Sequence, residues 1–313
     1  MPACGHTSLM TEDTANVIAT VIATYSRRMR LRLATGEEVG ARIKGKRIKA
    51  VCGDSVIATP IMNEVDWLIT EIRERRNKLT RPNTCGQIEV LAANVDALII
   101  VASVAPLPDW YIVDRYLCAA ELMGVLPIIV FNKIDLLDGH DIEIGELQEY
   151  RDIGIPVIEC SAETGKGTSD ILTSLAGQCG IVVGQSGVGK SSLINQLVSG
   201  SEQRIGNIST KSGEGRHTTV NSVMISLQGG GSLIDSPGVR DYAPALSDVT
   251  DAAVGFREIV AAAQLCRFAN CRHLREPGCA VKEGVDNDSI SYRRYESFKR
   301  VVNLTEKLSA GKY

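Results

Sequence analysis

The hydrophobic pattern of the chain changes character partway along. Over residues 16–70, short apolar or alternating runs are separated by tight turns. Val17-Ile18-Ala19-Thr20-Val21-Ile22 opens the region, and Met29-Arg30-Leu31-Arg32-Leu33 alternates apolar and basic side chains. Residues 38–43 resume the alternation after a turn at Thr35-Gly36, and residues 51–57 form a further strand around a Gly53-Asp54 turn. Short strands with tight turns over this length predict a small β-barrel of the OB type, a fold that binds nucleic acid on one open face. Residues 73–82 then read as a basic linker ending at Pro82. Beyond it, continuous apolar runs at 97–101, 127–131, 157–160 and 180–183 alternate with helix-forming stretches at 110–122, 142–150, 169–175 and 191–198. Strands that are apolar at every position need cover on both faces, so this region predicts a parallel sheet between helices. The pattern divides the 313 residues into an N-terminal tail (1–15), a barrel with its basic linker (16–82), a central α/β domain (83–250) and a mainly helical C-terminal domain (251–313). No apolar run approaches the ~18 residues of a membrane span. The first fifteen residues lack the basic-then-apolar pattern of an export signal, so a cytoplasmic protein away from the membrane is expected, with a monomer as the default.

The net charge of −3 conceals an asymmetry that changes the picture of partners. Residues 16–82 carry 14 Lys and Arg against 7 Asp and Glu, residues 83–255 carry 9 against 21, and residues 256–313 carry 11 against 7. Two basic modules flanking an acidic core point to a polyanion, and the excess over the barrel points to nucleic acid. Only Tyr25 and Trp67 offer stacking surfaces there, so the expected contact is to phosphates and RNA shape. Six of the nine cysteines (Cys4, Cys52, Cys85, Cys118, Cys160 and Cys179) are scattered, which fits free thiols in a reducing compartment. The other three cluster with a histidine. Cys266-x4-Cys271-x-His273-x5-Cys279 offers four soft ligands within fourteen residues, the donor set of a closed tetrahedral structural Zn2+ site.

Gly184-Gln185-Ser186-Gly187-Val188-Gly189-Lys190-Ser191 is a complete phosphate loop, following a predicted strand and opening a predicted helix at Ser191-Ser192. Its glycines let backbone N–H groups close around phosphates, Lys190 reaches the β and γ oxygens, and Ser191 is suited to ligate Mg2+. Asn132-Lys133-Ile134-Asp135 stands at one strand end. There the Asp135 carboxylate accepts from guanine N1–H and the exocyclic amine, whereas adenine would leave it unpaired. Ser161-Ala162 stands at the next strand end, where a backbone N–H meets guanine O6. Asp235-Ser236-Pro237-Gly238 follows Leu233-Ile234. Asp235 is suited to hold a Mg2+-bound water and the Gly238 N–H to sense a γ-phosphate. Val239 fills the place where many signalling GTPases carry a water-orienting glutamine. The glycine-rich segment 211–219 supplies the substitute, with His217 to orient the attacking water and Thr218 or Thr219 to complete the Mg2+ shell. The order of these parts is the most informative feature of all. An ordinary GTPase begins with its phosphate loop, but here the base-reading elements come first, as in a chain cut and rejoined elsewhere.

The permuted order, Gly213-x-Gly215-x-His217-Thr218-Thr219, Asp235-Ser236-Pro237-Gly238-Val239-Arg240, the N-terminal barrel and the Cys-Cys-His-Cys cluster together resemble the RsgA family, bacterial GTPases of small-ribosomal-subunit biogenesis. The resemblance implies an OB-fold, a circularly permuted P-loop GTPase domain and a zinc-containing C-terminal domain. It implies weak hydrolysis of GTP to GDP, stimulated by the small subunit, and contact with 16S rRNA late in maturation. It further implies His217 as the catalytic residue and favours Thr219 over Thr218 on Mg2+. Gly187 stands where potassium-activated GTPases have asparagine, so potassium activation is not carried over. Two other classes compete with this reading: a nucleotide-gated RNA-binding protein with negligible turnover, and a translation GTPase acting on mature ribosomes.

Overall fold

The computed structural model describes residues 16–26, 28–45, 48–82, 87–137, 144–198, 220–236 and 249–310. The first strands close into a barrel: β1 (Val17–Tyr25), β2 (Met29–Leu33), β3 (Glu38–Ile43), β4 (Ser55–Pro60) and β5 (Trp67–Ile72). They run in the order β1-β2-β3-β5-β4, and β4 returns to β1 with Ile57 opposite Ile18. Alternation turns Val21, Leu31, Ala41, Val56, Ala58 and Ile69 inward as the barrel core. The run expected at 51–57 is broken. Cys52 makes an isolated bridge to Ala92, Gly53 turns with φ +92, and β4 starts only at Ser55. A Cβ on Gly53 would lie 2.0 Å from the Ala93 carbonyl oxygen, so only glycine fits this turn.

The expected linker is instead a structured joint. Lys78–Pro82 forms β6, which pairs antiparallel with β7 (Ile88–Ala93). Fully buried Asp54 accepts from Arg75 Nε at 2.7 Å and Nη2 at 2.8 Å, and from the Val51 N–H at 2.8 Å. Arg76 reaches Asp96 at 2.9 Å, while the Asn77 and Asn94 amides bond to Val95 O and Gly53 O.

The central sheet contains β8 (Ala97–Ser103), β9 (Leu126–Asn132), β10 (Val157–Glu159), β11 (Cys179–Gly184), β12 (Val220–Ser226) and β13 (Ser232–Asp235). Their spatial order is β10-β9-β8-β11-β13-β12, parallel except for β12. Helices α1 (Trp110–Met123), α2 (Gly145–Asp152), α3 (Thr168–Ser174) and α4 (Lys190–Val198) cover it. Along β8, Leu98, Ile100 and Ala102 pack with Tyr116 and Tyr150 on one face, and Ala97, Ile99 and Val101 pack with Ile171 and Leu193 on the other. Burial on both faces is why such strands are apolar throughout. The sheet does not stop at β12. This strand pairs antiparallel with β1, setting Thr24 opposite Ser222 and Ala23 opposite Val223, so barrel and central sheet share one hydrogen-bonded ladder.

Among the described residues four C-terminal helices follow: α5 (Val249–Ala253), α6 (Arg257–Ala263), α7 (Ala280–Asp286) and α8 (Tyr292–Ala310). Phe256, Ile259, Val281, Phe298 and Val301 form their core together with Cys118 of α1. Buried charges complete the junction. Asp114 of α1 accepts from Arg294 at 2.6 Å, Arg293 at 3.1 Å and the Tyr150 hydroxyl at 2.7 Å, and Arg294 also bonds Glu258 at 2.8 Å.

Candidate nucleotide site and metal centre

The phosphate loop joins β11, an inner strand between β8 and β13, to α4. Lys190 opens α4 directly after the loop, so the free N–H groups of its first turn face the same space. Gly189 has φ +93, and a Cβ there would lie 2.5 Å from the Asn132 amide nitrogen. Only a glycine lets Asn132 approach so closely.

That approach matters because Asn132, 1% exposed at the end of β9, is the hub of the site. Its Nδ2 donates to Val188 O at 3.0 Å, and its Oδ1 accepts from the Ala162 N–H at 3.0 Å. One side chain thus ties the phosphate loop to both base-reading motifs. The Cys160 thiol lies 3.6 Å from the same Oδ1, and burial pushes its pKa up to about 12, keeping it a neutral donor. Lys133, with φ +66, lays its ammonium on Gly187 O at 2.8 Å and on Ala105 O. Asp135 is exposed in the one-turn 3-10 helix Ile134–Leu137. Ser161 is fully buried, and its hydroxyl accepts from the Thr164 N–H at 3.1 Å, shaping the turn that carries Ala162.

Within the loop, Lys190 Nζ donates to Gly184 O at 2.7 Å and Gln185 O at 2.6 Å. Ser186 and Gly187 are exposed, Val188 is buried, and Ser191 and Ser192 are exposed at the start of α4. Gln185 Oε1 accepts from the Asp109 N–H at 3.2 Å, so the segment before α1 also braces the phosphate loop. Sequence reasoning missed that brace. Its signal was Asp109 itself, an N-cap whose carboxylate accepts from the Tyr111 N–H at 3.1 Å. Asp235 ends β13, the neighbour of β11, with Ile234 in register with Ile181. It therefore stands at the same carboxyl edge of the sheet as the phosphate loop. Beside it, Ser236 Oγ lies 3.0 Å from Ser222 Oγ of β12, and both side chains are buried. His217, Thr218, Thr219, Gly238 and Val239 lie outside the described residues.

The second cluster is in the C-terminal region. The ligand atoms of Cys266, Cys271, His273 and Cys279 all lie within 4.8 Å of one another. His273 Nδ1 is 3.5 Å from both Cys266 Sγ and Cys279 Sγ, which are 3.9 Å apart. Zinc–sulfur bonds of about 2.3 Å and zinc–nitrogen bonds of about 2.0 Å require tetrahedral edges of roughly 3.5–3.8 Å, so this donor set fits such an ion. His273 has φ +61, its backbone carbonyl accepts from the Tyr295 hydroxyl at 2.6 Å, and burial lowers its pKa toward the neutral imidazole that a metal needs. Glu276 holds the turn by accepting from the Arg272, Leu274 and Arg275 N–H groups at 3.2, 3.0 and 3.0 Å.

Base-reading elements that precede the phosphate loop in sequence, on strands in the spatial order of a P-loop sheet, make this a circularly permuted P-loop GTPase. A family model described as RsgA GTPase matches residues 72–244. The chain belongs to the RsgA GTPase family and is a GTP-hydrolysing enzyme. Small ribosomal subunit biogenesis GTPase RsgA of Haemophilus influenzae (strain 86-028NP) is 37% identical to it over 288 residues, 90% of this chain and 83% of the relative. The protein of the same name from Pseudomonas syringae pv. tomato is 35% identical over 90% of this chain and 84% of its own length. Among solved structures, YjeQ from Thermotoga maritima superposes with a TM-score of 0.73 at 29% identity, covering 93% of this chain and 99% of that one. YloQ, described as a circularly permuted GTPase, shares the fold at 23% identity with a TM-score of 0.72, covering 97% of this chain and 98% of that one. No helix among the described residues is long and apolar enough to cross a membrane.

Proposed function

We propose that this GTPase acts in biogenesis of the small ribosomal subunit, on the subunit's 16S rRNA, as a cytoplasmic monomer. The observation that carries the site is the Asn132 side chain, which gathers the Val188 and Ala162 backbone groups around one cleft. The names of the relatives supply the partner. In this reading Asp135 reads guanine, the Ser161-Ala162 turn that Asn132 holds faces its O6 edge with the Ala162 N–H shared between Asn132 Oδ1 and the base, and Lys133 lies along the base. The loop from Gly184 to Ser192 cradles the phosphates, with Lys190 on the β and γ oxygens. Mg2+ bound with the nucleotide neutralises charge on the β and γ phosphates, and Ser191 and Thr219 would hold it, with Asp235 on its water shell. Gly238 senses the γ-phosphate, and His217 orients the attacking water in place of the glutamine that Val239 displaces. Cys266, Cys271, His273 and Cys279 hold one structural Zn2+. Domain limits near residues 82 and 250 separate barrel, GTPase and C-terminal modules, with β6 and β7 pairing across the first of them.

The ladder from β12 to β1 supports a coupling between nucleotide and RNA. β12 begins one residue after Thr219, so a loop that orders around γ-phosphate pulls on a strand bonded to the barrel. Linkage requires the reverse as well: docking the barrel on RNA biases the loop toward its hydrolytic arrangement. The experiment is GTP hydrolysis by the purified protein, alone and with isolated small subunits, using large subunits and ATP as controls. Stimulation by small subunits alone, without ATP turnover, is expected. Equal rates with and without small subunits would remove the partner from this reading.

A further inference from the structure

The loop between the first two cysteines of the metal cluster keeps its side chains out of the core. Arg267, Phe268, Ala269 and Asn270 are all exposed. Phe268 stays 41% exposed and lies outside the core of Phe256, Ile259 and Phe298, although Cys266 and Cys271 on either side of the loop pack against that core. Yet the loop is firmly held. The Arg267 N–H donates to Gly278 O at 3.1 Å, the Cys271 N–H to Phe268 O at 3.1 Å, and the Glu276 carboxylate fixes the backbone just beyond. The Arg267 guanidinium sits 5.4 Å from the Phe268 ring centroid. A rigid loop that spends an aromatic ring and a guanidinium on solvent is built for contact with something else.

Charge indicates what. Residues 265–275 contain Arg267, Arg272 and Arg275 and no acidic residue. Arg272 pairs with Glu306, whereas Arg267 and Arg275 make no ion pair among the described residues. An exposed ring beside the Arg267 guanidinium, in a segment whose only charged side chains are arginines, matches a nucleic acid base next to its phosphates. We propose that the 267–270 loop binds an unpaired RNA base, stacked on Phe268, with Arg267 and Arg275 on the flanking phosphates and the Asn270 amide available to a base edge. The base must be unpaired, because in a duplex its face is covered by neighbouring bases. This rests on the RNA-directed reading above and adds to it a single-stranded target on the C-terminal module, where the barrel is expected to read phosphates and shape.

The test uses the full-length, zinc-loaded protein with short fluorescein-labelled single-stranded and duplex RNAs, read by anisotropy. Phe268→Leu keeps an apolar side chain and removes the stacking face, and Phe268→Tyr restores it. Zinc content and melting temperature show whether each variant is folded. Phe268→Leu is expected to weaken single-strand binding about ten-fold while leaving duplex binding unchanged, and Phe268→Tyr to recover it. Arg267→Ala and Arg275→Ala are each expected to reduce the salt dependence of single-strand binding by about 0.7 in log–log slope. Phe268→Trp is expected to give indole fluorescence that single-stranded RNA quenches. Wild-type single-strand affinity in folded Phe268→Leu overturns the proposal. So does a Phe268→Leu protein that binds both RNAs normally but loses small subunits, because the patch would then face a protein. Neither result touches subunit-stimulated GTP hydrolysis by the wild type, so failure here and failure of the proposed function are separable.

Discussion

At the scale of single residues the site depends on one amide. Asn132 offers both a donor and an acceptor, and each is used on a backbone group from a different motif. Aspartate could not donate to Val188 O, and leucine of similar size could do neither. Replacing Asn132 by alanine leaves two backbone groups in a buried setting without partners. The expected loss is about 1–3 kcal/mol of folding free energy. Guanine nucleotide affinity should fall by at least about ten-fold, because the phosphate loop and the Ala162 turn lose their common anchor. Urea unfolding and titration with a fluorescent GDP analogue measure the two effects. Wild-type affinity in a folded Asn132→Ala protein would show that the loops hold their positions without it. Cys160 is a gentler case. Its thiol is neutral at physiological pH, with a pKa pushed up to about 12 by burial, so Cys160→Ser should alter the hub far less than the loss of Asn132.

At the scale of elements, the least expected feature is the seam between β1, β12 and β13. Thr24, Ser222 and Ser236 lie in one row across these strands, all less than 9% exposed, and the two serine hydroxyls are 3.0 Å apart. Ser222 also lies 2.7 Å from Asn221 O, so its single proton is shared between a backbone acceptor and its neighbour's hydroxyl. Ser222→Ala is expected to cost about 1 kcal/mol in urea unfolding, since the Ser236 hydroxyl loses a buried partner. An unchanged unfolding midpoint would mean that the row carries no stability. This seam also marks where the sequence stops being legible. The phosphate loop and the Asn132 motif could be read because each compresses its steric and chemical demands into a few adjacent residues. The parallel strands could be read because both faces are buried. Strand β12 could not, because it joins two sheets and its Val220-Asn221-Ser222-Val223 start shows neither a clean alternation nor a continuous apolar run. Strand β6 was hidden by charge: within Lys78-Leu79-Thr80-Arg81 only Leu79 is buried, and the rest reads as linker. Asp54 and Arg75 are 21 residues apart, and nothing local announces that they meet.

At the scale of the whole molecule, both basic modules are fixed to the nucleotide sheet, by different means. The barrel is held by the β1–β12 ladder, the Arg76–Asp96 pair and the Asn94 amide on Gly53 O. The C-terminal helices are held by Asp114, whose carboxylate is fully buried and neutralised by Arg293 and Arg294 of α8. The same helix carries Tyr295, whose hydroxyl bonds the His273 carbonyl in the middle of the metal cluster. The Cys/His cluster, α8 and the GTPase core are therefore in series, and a metal held by the cluster would act on all three. Removing zinc with a chelator should free the His273 turn, loosen α8 and leave Asp114 short of its counter-ions. An uncompensated buried carboxylate costs about 3–5 kcal/mol, which for a domain of this size corresponds to a fall in melting temperature on the order of 10 °C. Trp110 reports the event directly, since it lies against Phe131 and Tyr150 with the Arg293 guanidinium 5.9 Å from its ring. The expected result is a single transition, in circular dichroism and tryptophan fluorescence alike, that moves down on chelation and returns with one zinc per chain. In Asp114→Asn, where no buried Asp114 carboxylate is left to strand, the chelation-induced shift should be smaller. If chelation melts only part of the helical signal and leaves the Trp110 transition at its original midpoint, the metal centre is a local staple, and the C-terminal module is not energetically joined to the GTPase sheet.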